Sequence, residues 1–187
     1  MTDDRRHSMT DGPAAGLPAG YAVRPAAPGD QAELTRLYTD HADYERLGAP
    51  EPGAAAALIE AVSAASPRVW ALVVVPPAAP VGRLAGYAAY SLEFAAWSVR
   101  DYLHLDCLYL DPEHRGRGVG AAVLREVAAH GTRLGAPRAE WQTPDWNADA
   151  IRFYGRHGAL GRAKTRFTLA LPGPPGPAPR TPRGEQQ

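Results

Sequence analysis

Apolar residues run through the middle of the chain in two rhythms, one of period two and one of period 3.6. Residues 69–75 (Val69, Trp70, Ala71, Leu72, Val73, Val74, Val75) are continuously apolar and bounded by Pro67 and Pro76, the pattern of a strand covered on both faces. A turn over Pro76, Pro77 and Pro80 leads into a second apolar stretch, 82–93, so the two form a hairpin. Residues 101–110 alternate: Leu103, Leu105, Cys107 and Tyr109 fall on one face, and Tyr102, His104, Asp106 and Leu108 on the other. Shorter strands are predicted at 21–25, 138–143 and 164–171. Helical spacing links Leu34, Leu37, Tyr38 and His41, with Asp30 as N-cap and Glu33 completing a capping box. Further helices are predicted over 53–65, closed by Ser66 and Pro67, over 121–134, ended by Gly135 and Pro137, and over 147–157. The resulting order, β α α β β β α β α β, predicts an α/β chain with a mixed central sheet and helices on both faces.

Composition narrows the class. The chain has 187 residues, with 19 Gly and 19 Pro, a content that suggests disorder only if it is evenly spread. Six prolines lie in residues 172–187, which reads as a disordered Pro/Gly-rich tail. Residues 1–20 are polar or small and read as a flexible segment, with Met9 an alternative start. The folded unit is thus expected over 21–171, one domain. Twenty basic residues balance twenty acidic ones, which speaks against a general nucleic-acid or membrane-surface binder. No apolar run approaches the length of a membrane helix, and the N-terminus has no signal-like stretch; a cytoplasmic location is expected. A single cysteine, Cys107, allows no internal disulfide. His7, His41, His114, His130 and His157 show no ligand spacing, so no metal is expected.

The chemistry concentrates where the 101–110 strand meets the following helix. Asp111 and Pro112 end the strand, and Arg115, Gly116, Arg117, Gly118, Val119, Gly120 and Ala121 lead into the helix. Glycines let main-chain N–H groups turn towards a ligand, and a helix N-terminus adds unsatisfied donors. Arginines beside them supply charge-assisted bonds to phosphate oxygens. The spacing is neither the dinucleotide fingerprint nor a P-loop, since no Gly-Lys-Ser/Thr follows. The loop is therefore expected to hold a phosphate or pyrophosphate.

Arg115-Gly-Arg-Gly-Val-Gly120 resembles the [RQ]-x-x-G-x-[GA] acyl-CoA loop of the GNAT N-acetyltransferase family. Asp145-Trp-Asn-Ala-Asp-Ala-Ile-Arg-Phe-Tyr-Gly-Arg-His-Gly-Ala159 is similar to a second segment of that family. Within the family, Arg24-Pro-Ala and Ala42-Asp-Tyr-Glu-Arg look most like the diamine (spermidine/spermine, thialysine) acetyltransferase group. The resemblance implies a sheet splayed after its fourth strand, acetyl-CoA as cosubstrate, a small-molecule amine as acceptor, and a homodimer. It further implies that the loop holds the CoA pyrophosphate while backbone at Leu108 and Leu110 pairs with the pantetheine arm. It also implies that Asn147 hydrogen-bonds that arm and that Tyr154 protonates the departing thiolate.

Asp106 occupies the position of a glutamate proposed as base in the diamine group; being one methylene shorter, it is expected to work through water, with His104 as its rival. Tyr44, Glu45, Glu93, Tyr102 and Trp146, with Trp97 and Asp145, are the candidates for holding the amine. Two other readings fit the same residues. One is a transferase using a carrier-protein thioester or aminoacyl-tRNA as donor, and the other is a non-catalytic CoA-binding sensor. An acetyltransferase of protein lysines or N-termini is a third.

Overall fold

The computed structural model describes residues 16–78, 80–169 and 171. Nine elements follow in order: β1 (Ala22–Pro25), α1 (Gln31–Tyr44), α2 (Ala54–Val62), β2 (Val69–Val75), β3 (Gly86–Ala95), β4 (Arg100–Leu110), α3 (Val119–Arg133), β5 (Ala139–Glu140) and α4 (Ala148–Arg156). The expected order holds from β1 to α4. The strands lie in one sheet, β1-β2-β3-β4-β5. The first four are antiparallel neighbours, and β5 runs parallel to β4. None of the helices among the described residues is long and apolar enough to cross a membrane.

The apolar run of β2 is explained by burial on both sides. Trp70, Leu72 and Val74 pack with Val119, Val123 and Val127 of α3 on one sheet face. Val73 joins Leu34 and Leu37 of α1, and Ala55 and Ile59 of α2, on the other. Burying apolar surface on both faces is the main stabilising term of such a layered fold. His130, fully buried on α3, serves the first core: its Nδ1 lies 2.8 Å from the Tyr90 hydroxyl.

The capping box expected at the start of α1 does not form. Asp30 makes no side-chain cap to α1; its carboxylate accepts two 2.7 Å bonds from Arg24 and one of 2.8 Å from the Ala27 amide. Glu33 instead accepts from the Leu84 amide at 3.1 Å and pairs with Arg36. Arg36 in turn reaches Asp111 at 3.1 Å and the Leu84 carbonyl at 2.9 Å. Charged tertiary partners on the sheet outcompete the local caps, because a charge-assisted bond is about twice as strong as a neutral one.

Two further expectations are corrected. Residues 164–169 form no strand and stay exposed, Phe167 to 89% and Leu169 to 82%. These residues pair with no strand among the described residues, and a strand needs a hydrogen-bonded neighbour. The single-face reading of β4 also fails. Ala89 pairs with Cys107 but Tyr90 pairs with Leu105, so Asp106 is the extra residue of a β-bulge. Leu103 and Leu105 therefore share the α3 face with Leu108 and Leu110, whereas Cys107 and Tyr109 join the α1/α2 face.

Gly86 allows β3 to approach the end of β4. A Cβ there would lie 2.2 Å from the Tyr109 carbonyl oxygen and 2.6 Å from Leu110 Cδ2. Gly86→Ala is expected to lower stability by about 3 kcal/mol and the Tm by several degrees. An unchanged melting curve would show that this close approach is absent.

Candidate active site

The sheet opens where β5 leaves β4. Only Leu103↔Ala139 and His104↔Glu140 pair across the two strands, with the Leu103 amide donating to the Arg138 carbonyl at 3.0 Å. The strand expected over 138–143 shrinks to two residues, as Trp141 turns to lie 5.0 Å from the Tyr154 ring. From Leu105 onward the free edge of β4 lines a cleft of about 520 Å³, whose other walls are the 115–121 loop, the end of α1, and α4. The Asp111 amide donates to the carbonyl of Ala85, just before β3, at 2.8 Å. Alternation along an antiparallel strand then turns the main-chain groups of Leu110 and Leu108 to the open edge.

At one end of the cleft lies the glycine loop. Gly116 and Gly118 have φ of +70° and +84°, a left-handed conformation that costs other residues energy. Gly118 is the N-cap of α3, and the first intrahelical bond runs from the Ala122 amide to its carbonyl. The amides of Val119, Gly120 and Ala121 are thus helix-start donors without an intrahelical acceptor, and positive φ turns them into a concave anion site. Arg117 is exposed beside them.

Arg115 is turned inward: its Nε donates to the Leu110 carbonyl at 2.8 Å, and its guanidinium lies 4.3 Å from the Tyr44 ring centroid. In this arrangement it braces the loop against α1. The cleft gains two other cations, Arg152 and Arg156, from α4, and His157 just beyond it also lines the cleft. Sequence reading passed over them, although their i, i+4 spacing puts the two arginines on one helix face.

The opposite end is built by α1, β4 and α4. Tyr154 lines the cleft, its ring 5.1 Å from Phe153. Burial, and then the charge of Glu45, push its phenol up to about 12. Asn147 is buried at the N-cap of α4, where its Oδ1 accepts from the Ala150 amide at 3.1 Å and from the Tyr44 hydroxyl at 3.2 Å. Its oxygen therefore ties α4 to α1, and the amide nitrogen is the part left to meet a ligand. Tyr44, Glu45 and Asp106 also line the cleft, and so does His41, which spacing alone had marked only as a helix-face residue.

The remaining candidates lie elsewhere. Tyr102 and Glu93 hydrogen-bond each other on the α1/α2 face of β3 and β4, and the bond to Glu93, followed by burial, raises the Tyr102 phenol to about 12. His104 sits between Glu93 at 4.0 Å and Asp106 at 3.9 Å. Trp146 stacks under Arg46 at 4.7 Å, Asp145 is exposed, and Trp97 stands fully exposed beyond the end of β3. None of these six is in the cleft lining.

Residues 33–159 match the Acetyltransferase (GNAT) family. The chain is similar to the thialysine N-epsilon-acetyltransferase of Sus scrofa, with 29% identity over 145 residues, 75% of this chain and 85% of that protein. A shorter match, 29% over 76 residues, covers 41% of this chain and 33% of an L-ornithine N5-acetyltransferase of Arabidopsis thaliana. The fold is shared with a crystal structure of an aminoglycoside acetyltransferase from an uncultured soil metagenomic sample. Their TM-score is 0.65 at 14% identity, over 81% of this chain and 97% of the other. The match to the family takes in the splayed strand, the glycine loop and α4 alike, and the chain belongs to the GNAT family of acetyltransferases.

Proposed function

We propose that this enzyme transfers an acetyl group from acetyl-CoA to a primary amine of a small molecule, a diamine or an amino acid, by direct attack within a ternary complex. The observation that carries this reading is the continuity of one cleft. The helix-start amides of 119–121 stand at one end, the open edge of β4 runs along it, and Tyr154 lies within reach of the charge of Glu45. Length and polarity change along it in the order that CoA requires: anion donors for pyrophosphate, then strand-like amides for the pantetheine arm, then a proton donor where sulfur would arrive.

In this reading CoA supplies the activated acyl group. The loop amides, with Arg117, Arg152 and Arg156 nearby, bind its phosphates; Leu108 and Leu110 orient the pantetheine; and main-chain N–H groups at the bulge polarise the thioester carbonyl. Tyr44 and Glu45 form the wall that receives a cationic amine. The similarity to a thialysine acetyltransferase over most of both chains supports an acceptor carrying a primary amine on a flexible chain.

The test is release of free CoA thiol with a panel of diamines, amino acids, aminoglycosides and peptides. Turnover with one of the first two classes is expected. Tight CoA binding with no thiol released by any amine would identify a sensor rather than an enzyme.

A further inference from the structure

Two adjacent residues at the entry to the glycine loop are tied to different parts of the fold. Arg115 lines the cleft, where the Leu110 carbonyl and the Tyr44 ring hold it. His114 closes the single 3-10 turn of Pro112–His114 and does not line the cleft. Its Nδ1 lies 2.8 Å from the hydroxyl of Tyr21, and the two rings meet edge to face with centroids 5.7 Å apart. On the other ring nitrogen, Nε2 is 3.3 Å from Glu113 Oε1, and the side chain is 16% exposed. Neither Tyr21 nor His114 has a part in the reaction as described.

Tyr21 ends a short strap, residues 17–21, that crosses to the loop before β1 begins. Leu17 and Tyr21 pack against the core that contains Val119 and Val123 of α3. The Tyr21 amide donates to the Pro18 carbonyl at 3.2 Å, which closes the strap into a turn. Pro18 stands alongside Gly118, its Cγ 3.9 Å from where a Cβ would be. The strap is therefore fixed to the first turns of α3, the same turns whose amides form the anion site, and the Tyr21 hydroxyl ties the loop entry to that frame.

The loop needs such a tie. With left-handed glycines at 116 and 118, its backbone has more conformations open to it than any other residue type would allow. Only those that aim the amides of 119–121 at one point bind an anion well. Ordering the loop at the moment of binding costs conformational entropy, and anchors that order it beforehand remove that cost. Arg115 anchors the entry to β4 and α1. His114 anchors it to the strap.

We propose that Tyr21 and His114 are positioning residues for the CoA pyrophosphate, their bond fixing the entry of the 115–121 loop so that its amides converge on the anion. This rests on the assignment of that loop to CoA in the reading above. The bond lies outside the cleft and touches neither the pantetheine path nor the acceptor wall, so its loss weakens the hold on phosphate and leaves the chemistry at the thioester as it was.

The test separates phosphate binding from the rest of the enzyme. In calorimetric titrations of the full-length protein with CoA, Tyr21→Phe and His114→Ala are each expected to raise the Kd about fivefold, the scale of one lost hydrogen bond. The double variant should bind no more weakly than His114→Ala, since both changes remove the same bond. His114→Asn, whose side-chain amide can stand where Nδ1 stands, should recover most of the affinity. In kinetics, Tyr21→Phe should lower kcat/KM for acetyl-CoA by the same factor and leave kcat/KM for S-acetylpantetheine, which carries no phosphate, unchanged. An unchanged Kd in Tyr21→Phe, or an equal fall with both donors, overturns the proposal. The Kd comparison needs no turnover, so it decides the matter even in an enzyme that acetylates none of the amines tried. A wild type that does not bind CoA overturns instead the loop assignment on which the proposal rests.

Discussion

Valine in place of Gly118 is expected to raise the Kd for CoA at least about 100-fold, equivalent to about 2.7 kcal/mol. The φ of +84° at this position is a left-handed conformation in which a β-branched residue is strained by about 1–3 kcal/mol. If the loop instead relaxes to a negative φ, the amides that follow turn away from the anion, and each bond to a charged group is worth about 1.5–3 kcal/mol. Either outcome removes the site. Space inside the protein is not the cause, since the nearest atom to a Cβ there is Pro18 Cγ at 3.9 Å. Gly120→Ala is the matched control: its Cβ would make ordinary contacts of 3.5 Å with Leu110 and Phe153, and CoA affinity should change only a few-fold. Calorimetric titration of both variants with CoA checks the pair, and intact affinity in Gly118→Val would end the assignment of this loop to phosphate.

Removing one hydroxyl, with Tyr154→Phe, should lower kcat by tenfold or more while CoA binding and thermal stability survive. The ring contacts with Trp141 at 5.0 Å and Phe153 at 5.1 Å are kept by phenylalanine. The phenol at about 12 stays protonated at every pH at which the enzyme would be assayed, so the acid form is always present. The same shift means that simple donation to a thiolate, with a pKa of about 8.5, is uphill by roughly 5 kcal/mol. In the proposed reaction Tyr154 therefore gives its hydrogen to sulfur as it receives one from the acylated nitrogen, which makes it a conduit as much as an acid. A solvent isotope effect on kcat that Tyr154→Phe abolishes would support the coupled transfer. A variant with wild-type turnover would remove Tyr154 from the chemistry.

Much of the fold was legible because its elements differ in period. The apolar run of β2, the helical spacing of Leu34 and Leu37, and the glycine-rich entry to α3 each report a local requirement, and each appears where expected. The predictions that failed depended on a partner. Whether residues 164–169 form a strand depends on pairing with a neighbouring edge, and they make no such pairing. Whether Asp30 and Glu33 cap a helix depends on what else they can reach, and Arg24, Arg36 and Leu84 reach them first.

The site divides in the same way. The loop, with its left-handed Gly116 and Gly118 and its helix start, was determined by sequence alone, because a short run of residues specifies both the conformation and the donors. Tyr154 and Glu45 were placed by resemblance, and the structure puts both on the cleft. Which face each side chain of β4 takes was decided only by the tertiary structure. A bulge at Asp106 reverses the alternation, and its place is set by pairing with Ala89 and Tyr90 on another strand. That one extra residue moves Cys107 and Tyr109 to the face where Tyr87 and α1 pack. The residues of the loop are neighbours in sequence. His41, Tyr87 and Tyr109 are joined only by packing of a helix on two strands, a contact that no local pattern encodes.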